Sequence, residues 1–369
     1  MTSKTPYDIH LIAAARPNFM KVAPLYHALM RAPWARPRLV HTGQHYDANM
    51  SDAFFRDLGL PEPEFHLNIG SGTHAEQTGG VMIAYEKICL NEGPNWIVVV
   101  GDVNSTLACA LVGAKLCIPV AHLEAGLRSG DCTMPEEINR IVTDAIADLL
   151  WTPSPDADEN LLKNGVSADK IERVGNIMID SFEMLRPQIE QAFKAMGFPG
   201  RRGPYGIVTL HRPVNVDGPD SLALLVDQLC SVAARIPLIF PVHPRTRKNL
   251  AAFGLLSKLA THPGIELLEP VNYVNFMALT QKSALVITDS GGIQEETTYL
   301  GIPCLTVRET TERPITMSQG TNRLVEPVAL VDAVASVLRG HWPHGQCPEL
   351  WDGNTAARVA ESLKKRVLA

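Results

Sequence analysis

The sequence lacks the features that mark several large classes of protein. Among its 369 residues no apolar run reaches the ~18 residues that a membrane-spanning helix needs, and no charged-then-apolar signal peptide opens the chain. We therefore expect no membrane partner and a cytoplasmic location. Positive charge is not in excess either: the formal net charge is −6, which gives no electrostatic reason to expect nucleic-acid binding.

Patterns for metal and dinucleotide binding are missing as well. The seven cysteines form no Cys-x-x-Cys pair and most lie in apolar segments, so we predict reduced core thiols and no zinc site. No Gly-x-Gly-x-x-Gly follows the first predicted strand, Tyr7–Ala14, which argues against a dinucleotide site. We expect neither a metal nor a redox cofactor. The length and the 46% hydrophobic content are typical of a globular protein of two domains.

The most informative stretch is 96–140, whose pattern predicts two successive strand–helix units. The β-branched run Ile97–Val100 predicts a strand buried on both faces, and Pro119–Leu123 predicts a second one. Asp102 follows the first strand and Glu124 follows the second. Because ligands bind outside the carboxyl ends of the strands in an open parallel sheet, these acids can face one crevice.

Each acid in this stretch has to be weighed against a simpler explanation. Glu136 and Glu137 lie in the first turn of a predicted helix, where carboxylates complement the helix dipole. An aspartate after a glycine, as at Asp102, is often only a turn residue. Glu124 is the exception, because an apolar run that leads into Glu-Ala-Gly has no structural need of a carboxylate. A buried carboxylate at that position would suit proton transfer.

The helix predicted over 136–150 carries a regular apolar stripe, which we expect to pack on the sheet. Its members are Ile138, Ile141, Val142, Ala145, Ile146 and Leu149. Two cations, Arg16 and Lys21, follow the first predicted strand and lie close to a helix N-terminus, where an anion would be held. Taken alone, that pair is better explained as solvated side chains.

The second half of the chain alternates strands and helices again without repeating the sequence. Strands are predicted at Gly206–Leu210, Leu238–Val242, Ile265–Leu268, Ala284–Thr288 and Cys304–Val307. His211 follows the first of these strands and His243 follows the second. A lone histidine is more often a satisfied core residue, but two at successive strand ends face the same crevice.

The sharpest phosphate-binding signal is the segment Asp289–Glu296, a strand end followed by a Ser-Gly-Gly turn and a helix start. At Ser290, Gly291 and Gly292 the backbone N–H groups can approach phosphate oxygens, and the helix dipole adds favourable charge. Glu296, one turn into the helix, suits ribose hydroxyls instead. The segment therefore predicts a nucleotide site.

Together these patterns predict an α/β fold of two Rossmann-like, doubly wound parallel-sheet domains that face a central cleft. We place the first domain at 1–179 and the second at 180–353. A terminal helix over 354–369 is expected to pack back on the first domain.

The motifs, taken in order, resemble the non-hydrolysing UDP-N-acetylglucosamine 2-epimerases, which have the two-domain GT-B fold. The resemblance covers nearly the whole chain. It rests on Arg16–Leu25, Gly43–His45, Gly101–Asp102, His122–Arg128, Pro135–Arg140, His211–Arg212, Asp289–Glu296 and Thr311–Pro314. Three positions depart from the family pattern: Asn18 replaces a frequent Glu, Val271 a frequent Gln and Ile315 a Glu.

The resemblance implies a reaction and a set of site residues. The reaction is the reversible C2 epimerisation of UDP-N-acetylglucosamine to UDP-N-acetylmannosamine by elimination and re-addition of UDP through a glycal. It uses no cofactor and supplies a sugar nucleotide for surface polysaccharide synthesis. The implied catalytic residues are Asp102, Glu124, Glu136 and His211. The implied UDP-sugar contacts are Arg16, Lys21, Phe276, Ser290, Gly291, Gly292, Glu296 and Arg313. The resemblance also implies a homodimer.

Three alternatives remain open at this point. They are a 2-epimerase of a UDP-diacetamido-uronic acid, a GT-B glycosyltransferase and a non-catalytic nucleotide-sugar sensor. Some family members are activated by their own substrate at a second site. Asp47 and Glu76 stand where those members carry a glutamine and an arginine, so we expect this activation to be weak or absent here.

Overall fold

The computed structural model describes residues 6–43, 55, 57–197 and 203–368. The chain forms two compact units, one of residues 1–184 with 349–369 and one of residues 185–348. The predicted boundaries, 179 and 353, lie five residues from these. Helix Ile177–Ala195 runs through the first boundary, so no loop signal in the sequence marks it.

The first unit is built from seven strands and the helices between them. Its strands are β1 (Tyr7–Ala13), β2 (Ala35–His41), β3 (Phe65–His66), β4 (Trp96–Val100), β5 (Val120–Leu123), β6 (Leu149–Thr152) and β7 (Ile171–Arg173). Its described helices are α1 (Arg16–Met30), α2 (His74–Glu92), α3 (Asn104–Lys115), α4 (Pro135–Ile146), α5 (Pro155–Lys163) and the start of α6 (Ile177–Ala195). The terminal helix α15 (Thr355–Leu368) also belongs to this unit.

The second unit has six strands. They are β8 (Gly206–Thr209), β9 (Leu238–Pro241), β10 (Ile265–Leu268), β11 (Leu285–Thr288), β12 (Cys304–Thr306) and β13 (Asn322–Leu324). Its described helices are α7 (Pro213–Val216), α8 (Pro219–Ala233), α9 (Pro244–Ala252), α10 (Leu256–Ala260), α11 (Tyr273–Thr280), α12 (Gly291–Leu300), α13 (Ile315–Ser318) and α14 (Leu330–Leu338).

Both sheets are parallel and doubly wound, which confirms the predicted fold class. The strand order is β3-β2-β1-β4-β5-β6-β7 in the first unit and β10-β9-β8-β11-β12-β13 in the second. In each order the chain starts in the middle, winds to one side and then crosses to the other. The change of direction falls between β1 and β4 and between β8 and β11, and such switch points are where open α/β sheets bind ligands.

The strand predictions missed β3 and β13, which form one edge of each sheet. Strand β4 is buried along its whole length, as its β-branched run predicts. The edge strands β3 and β13 have only two and three residues, too few for a recognisable pattern.

The predicted orientation of helix α4 was wrong. Ile138 and Ile141 are 50% and 38% exposed, whereas the buried face carries polar side chains. That buried face consists of Glu137, Asn139, Arg140, Thr143 and Asp144. The physical reason is that these groups form ion pairs and hydrogen bonds with one another and with the strand ends of the sheet, so their burial is compensated.

The cysteines lie only partly where the sequence predicts them. All seven are free. Cys89, Cys109 and Cys304 are buried and Cys230 is half-buried, but Cys117, Cys132 and Cys347 are exposed, so the prediction of core thiols was wrong for these three. In the described part of the chain, no helix combines the length and apolar character needed to cross a membrane.

Candidate active site

The register of the first sheet brings the turn after β4 beside the turn after β5. Val100 pairs with Leu123, and the Gly101 N–H donates to the Leu123 carbonyl at 3.1 Å. Asp102 and Glu124 therefore follow adjacent strand ends, as predicted. Glu124 has φ +70°, a left-handed conformation that is costly for a residue with a side chain and is concentrated at functional sites.

Glu124 is 4% exposed and forms an ion pair with Lys21. Lys21 lies in α1, directly behind β1, so the pair joins the segment after β1 to the segment after β5, across the switch point. A Cβ built on Gly101 would lie 3.3 Å from Lys21 Nζ and 3.6 Å from Glu124 Oε2. Glycine suits this position because its φ is +70° and because a side chain would crowd the pair. Sequence reasoning did not foresee the contact.

Asp102 is held by Arg140 of helix α4, with 2.5 Å between Nη2 and Oδ2. Arg140 also donates to Glu137 at 2.7 Å, and Glu137 accepts the backbone N–H groups of Ser129 and Gly130. Burial alone would raise the pKa of Glu137, but these donors hold it below its ordinary value. Asp102 keeps 32% of its side chain exposed and can reach a ligand.

The remaining predicted residues of the first unit are placed less tightly. Glu136 is exposed in the first turn of α4. Arg16 begins α1, but its side chain lies outside the described residues. Asn18, which replaces the family's glutamate, is buried and donates to the Val100 carbonyl at 3.0 Å, so it supports the end of β4.

Of the two residues expected to weaken substrate activation, only one lies within the described residues. Asp47 lies outside the described residues. Glu76 is described and belongs to the first turn of α2. It accepts the Thr73 N–H at 2.8 Å while Thr73 Oγ1 accepts the Glu76 N–H, a reciprocal capping box. Capping alone therefore accounts for this carboxylate.

In the second unit, the ends of β8 and β11 carry a histidine and an aspartate in contact. His211 Nδ1 lies 3.0 Å from Asp289 Oδ1, and the aspartate also accepts the backbone N–H groups of His211 and Arg212. Burial would raise the pKa of Asp289, but His211 and the backbone donors hold it below its ordinary value. The ionised Asp289 fixes the ring so that Nε2 of the 38%-exposed His211 is available for proton transfer.

A cluster of three arginines surrounds the start of helix α12. Arg308 and Arg313 contact Glu312 at 2.9 and 2.7 Å, and Arg212 lies 3.9 Å from the same carboxylate. Arg313 also pairs with Glu295 at 2.9 Å. The ionised Asp289 also acts on Arg212, so three carboxylates face the three arginines. Their guanidinium groups are hydrogen-bond donors of the kind that bind phosphate and carboxylate anions.

The Ser-Gly-Gly turn lies directly against this cluster. A Cβ built on Gly291 would be 2.7 Å from Glu312 Oε1 and 2.8 Å from Arg313 Nη1, so no larger residue fits there without displacing them. Gly292 has open space instead. Ser290 is the N-cap of α12 and makes no side-chain cap hydrogen bond. The turn and Arg313 thus converge as the phosphate hypothesis requires.

Glu296 lies one turn further along α12, where Tyr273 Oη donates to its Oε1 at 2.6 Å. The pKa of Glu296 is raised to about 8, mainly by burial and further by the neighbouring Glu295, against the lowering effect of the tyrosine hydrogen bond. A neutral Glu296 can both donate and accept, which suits a diol. Phe276 of α11 is half-buried against the apolar cluster of this unit.

Sequence reasoning missed the partners that hold these groups, above all Arg140, Asp144, Glu312 and Tyr273. The first and third lie inside quoted motifs, but nothing in the motif order indicates which acid each one contacts. Among the described residues, no cluster of three or more histidine, cysteine, aspartate or glutamate side chains could hold a metal ion. The groups present support proton transfer in the first unit and anion binding in the second.

Comparison with known proteins gives a consistent result. The sequence profile of UDP-N-acetylglucosamine 2-epimerase matches residues 27–364. The UDP-N-acetylglucosamine 2-epimerase of Methanococcus maripaludis is 40% identical over 95% of this chain and 96% of its own length. The UDP-2,3-diacetamido-2,3-dideoxy-D-glucuronate 2-epimerase of Pseudomonas aeruginosa is 39% identical over 96% of this chain and 98% of its own.

A solved structure shows the same relationship in three dimensions. The Methanocaldococcus jannaschii UDP-GlcNAc 2-epimerase in complex with UDP-GlcNAc and UDP superimposes with a TM-score of 0.87 at 40% identity, covering 97% of this chain and 99% of that one. The sequence match, the fold and the groups at the strand ends agree. The chain belongs to the UDP-N-acetylglucosamine 2-epimerase family.

Proposed function

We propose that this protein interconverts UDP-N-acetylglucosamine and UDP-N-acetylmannosamine. Inversion at C2 requires removal of a weakly acidic proton. Expulsion of UDP makes this possible: the C2–H electron pair forms the C1=C2 bond while the C1–O bond breaks and its electrons leave on the diphosphate oxygen. Re-addition of that oxygen to C1, with a proton delivered to the other face of C2, gives the epimer.

In the first unit we assign the proton transfers to Asp102 and Glu124. Two groups are needed, because the proton leaves one face of C2 and returns to the other. Lys21 orients Glu124 through their ion pair, and Arg140 orients Asp102. Glu136, exposed in the first turn of α4, exchanges protons with these two acids or modifies their acidity. Arg16 and Lys21 also offset part of the diphosphate charge.

We assign UDP binding, and the stabilisation of the oxygen that leaves C1, to residues of the second unit. The N–H groups of the Ser290–Gly292 turn and the Arg313 guanidinium bind the diphosphate, and Phe276 and Glu296 contact the nucleoside. His211, oriented by Asp289, protonates or stabilises the oxygen that leaves C1. A general acid or base of this kind typically contributes about 10²–10⁴-fold to the rate.

The observation that carries the proposal is the pairing of two acids on adjacent strand ends, each with its own cation. Glycosyl transfer does not call for several carboxylates held in this way, and a sensor that only binds does not need them. The 40%-identical relatives support the epimerase assignment.

Proton NMR of the purified protein with UDP-N-acetylglucosamine in D₂O tests this function. We expect the manno epimer to appear with deuterium at C2, because the proton that returns comes from groups in exchange with solvent. A glycosyltransferase or a sensor would leave C2 protonated and produce no epimer. Retention of the C2 proton or the absence of the epimer would contradict the proposal.

A second candidate substrate is the UDP-2,3-diacetamido-2,3-dideoxy-D-glucuronate named for the Pseudomonas aeruginosa relative, which is 39% identical over nearly the full length. The chemistry at C2 is the same and only the substituents at C3 and C5 differ. Parallel measurement of kcat/KM for both sugar nucleotides decides between them. We expect the larger value for UDP-N-acetylglucosamine.

We further propose that the protein works as a homodimer in the cytoplasm, where its product enters surface polysaccharide synthesis. The exposed isoleucines of α4 support a partner of the same kind: a two-fold dimer places the same apolar patch on both subunits, so one patch covers the other. The seven free thiols suit a reducing compartment.

A further inference from the structure

A buried histidine–aspartate pair lies behind the acids of the first unit, and the mechanism above does not use it. His122 belongs to β5, two residues before Glu124, and Asp144 belongs to α4, one turn beyond Arg140. Both side chains are shielded from solvent, with exposures of 0% and 1%. His122 Nδ1 and Asp144 Oδ1 are 2.6 Å apart.

Both ring nitrogens of His122 face oxygen atoms that can only accept. Nδ1 faces the Asp144 carboxylate and Nε2 lies 2.8 Å from the Gly101 carbonyl. These two hydrogen bonds hold the ring between the Asp144 carboxylate of α4 and the backbone that follows β4.

The other oxygen of Asp144 binds the next turn of the sheet. Oδ2 accepts the Gly126 N–H at 3.1 Å and Arg128 Nη1 at 2.7 Å. Burial would raise the pKa of Asp144, but the charges and hydrogen bonds of His122 and Arg128 hold it below its ordinary value. One carboxylate thus fixes both turns, the first through His122 and Gly101 and the second directly at Gly126.

We propose that His122 and Asp144 are positioning residues for the epimerisation, a role that rests on the acid–base function proposed above. Gly101 immediately precedes Asp102, and Gly126 is two residues beyond Glu124. A shift of either turn moves a proton-transfer group, and a displacement of about 1 Å can cost on the order of 10²-fold in rate. The pair sets the separation of the two acids without touching the substrate.

The charged groups around this pair determine what its removal does. Asp144 is the anion at the His122 ring, and Arg128 is the second cation on that carboxylate. The nearby charges on α1 and α4 and after β4 and β5 are engaged in their own ion pairs, Lys21 with Glu124 and Arg140 with Asp102 and Glu137. Without the Asp144 carboxylate, the His122 ring and the Gly126 N–H lose the group that holds them in place.

The test compares Asp144→Asn with a matched control, Asp148→Asn. Asp148 accepts the Val120 N–H at 2.9 Å, so it binds the same strand β5 at the opposite end. We expect Asp144→Asn to lower kcat by about 10–100-fold with KM within about threefold, since the substrate contacts remain. Asp148→Asn should match the wild type in both constants.

A measurement without substrate tests the contact between His122 and Asp144 independently. In ¹⁵N-labelled protein, the ring nitrogens of His122 should show hydrogen bonds in the wild type and in Asp148→Asn, and the Nδ1 signal should shift in Asp144→Asn. An Nδ1 signal that does not change in Asp144→Asn, or a wild-type kcat in that variant, would overturn the proposal. If the wild type instead fails to incorporate deuterium at C2, the proposed function fails, and the nitrogen spectrum still reports on His122.

Discussion

Arg140 and Asp102 are joined by a 2.5 Å hydrogen bond although 38 positions separate them in the chain. The same guanidinium also binds Glu137, so helix α4 buries Glu137 and Arg140 while Ile138 and Ile141 stay exposed. Burying one apolar side chain is worth about 1.5–3 kcal/mol. The helix lacks that stabilisation at its two exposed isoleucines, and its inner face instead positions Asp102, which we propose as a catalytic acid.

Asp102→Asn and Glu124→Gln should each lower kcat by at least about 10²-fold, or about 2.7 kcal/mol of transition-state stabilisation. Each change removes a proton-transfer group while keeping the side-chain shape. UDP affinity, measured by calorimetry, should persist, because neither acid is assigned a contact with UDP. Glu124→Gln leaves Lys21 without its carboxylate, so melting curves must show that the variant is folded. Near-normal turnover in both variants would refute the acid–base assignment.

Gly291→Val should weaken UDP binding strongly. A Cβ there falls 2.7 Å from Glu312 Oε1 and 2.8 Å from Arg313 Nη1, so the new side chain displaces the arginine that we assign to the diphosphate. Gly292→Ala, which meets nothing within 4 Å, should weaken it much less. Calorimetry with UDP compares the two folded variants. Equal UDP affinities of the two variants would indicate that the nucleotide binds elsewhere.

Ile138→Glu with Ile141→Glu should convert the dimer to a monomer without unfolding it. Both side chains are exposed in the isolated chain, so the substitutions cost little in the fold but place charges in the proposed interface. Light scattering coupled to gel filtration measures the mass. Leu162→Glu, at another exposed apolar residue on α5, is the control and should stay dimeric. A wild-type monomer would exclude this interface.

Glu296→Gln should make the free energy of unfolding less dependent on pH. In the folded protein the pKa of Glu296 is raised to about 8, against an ordinary value of 4.5. The folded state thus holds a proton that the unfolded chain releases. This contribution to stability is complete below about pH 4.5 and is lost as pH rises to about 8. One pKa unit corresponds to about 1.4 kcal/mol, so the change reaches a few kcal/mol.

Melting temperatures of wild type and Glu296→Gln between pH 5 and 9, without ligand, test this prediction. The wild type should lose more stability than the variant as pH rises, since glutamine stays neutral throughout. Parallel curves for the two proteins would show that Glu296 is ionised in the fold.

The sequence was most informative where burial forces a pattern. Strands such as β4 are buried on both faces, and that requirement appears as a run of apolar β-branched residues. Glu124 was identifiable for the same reason, because a carboxylate at the end of such a run conflicts with the apolar environment. Helix α4 misled because its apolar stripe is regular, and periodicity alone does not say whether the sheet or another surface covers it.

The pairing of charged side chains was beyond prediction. Lys21 and Glu124 are brought together by the order of strands in the sheet, and Arg308, Glu312 and Arg313 by the path of a loop. For each of these residues, the sequence offers several oppositely charged side chains as possible partners. Only the three-dimensional path of the chain selects among them, so the motifs indicated which residues matter but not what they contact.

The first unit is discontinuous, and this has a consequence for synthesis. Its last segment, 349–368, follows the whole second unit in the chain. That segment is tied in by Asp180, which accepts the N–H groups of Thr355 and Ala356, and by Trp151, whose Nε1 donates to Ser362 at 2.8 Å. On the ribosome the second unit is complete before these partners emerge. Synthesis of the first unit therefore starts first but is completed last. Until then, Trp151 and Asp180 lack the partners that they contact in the folded chain.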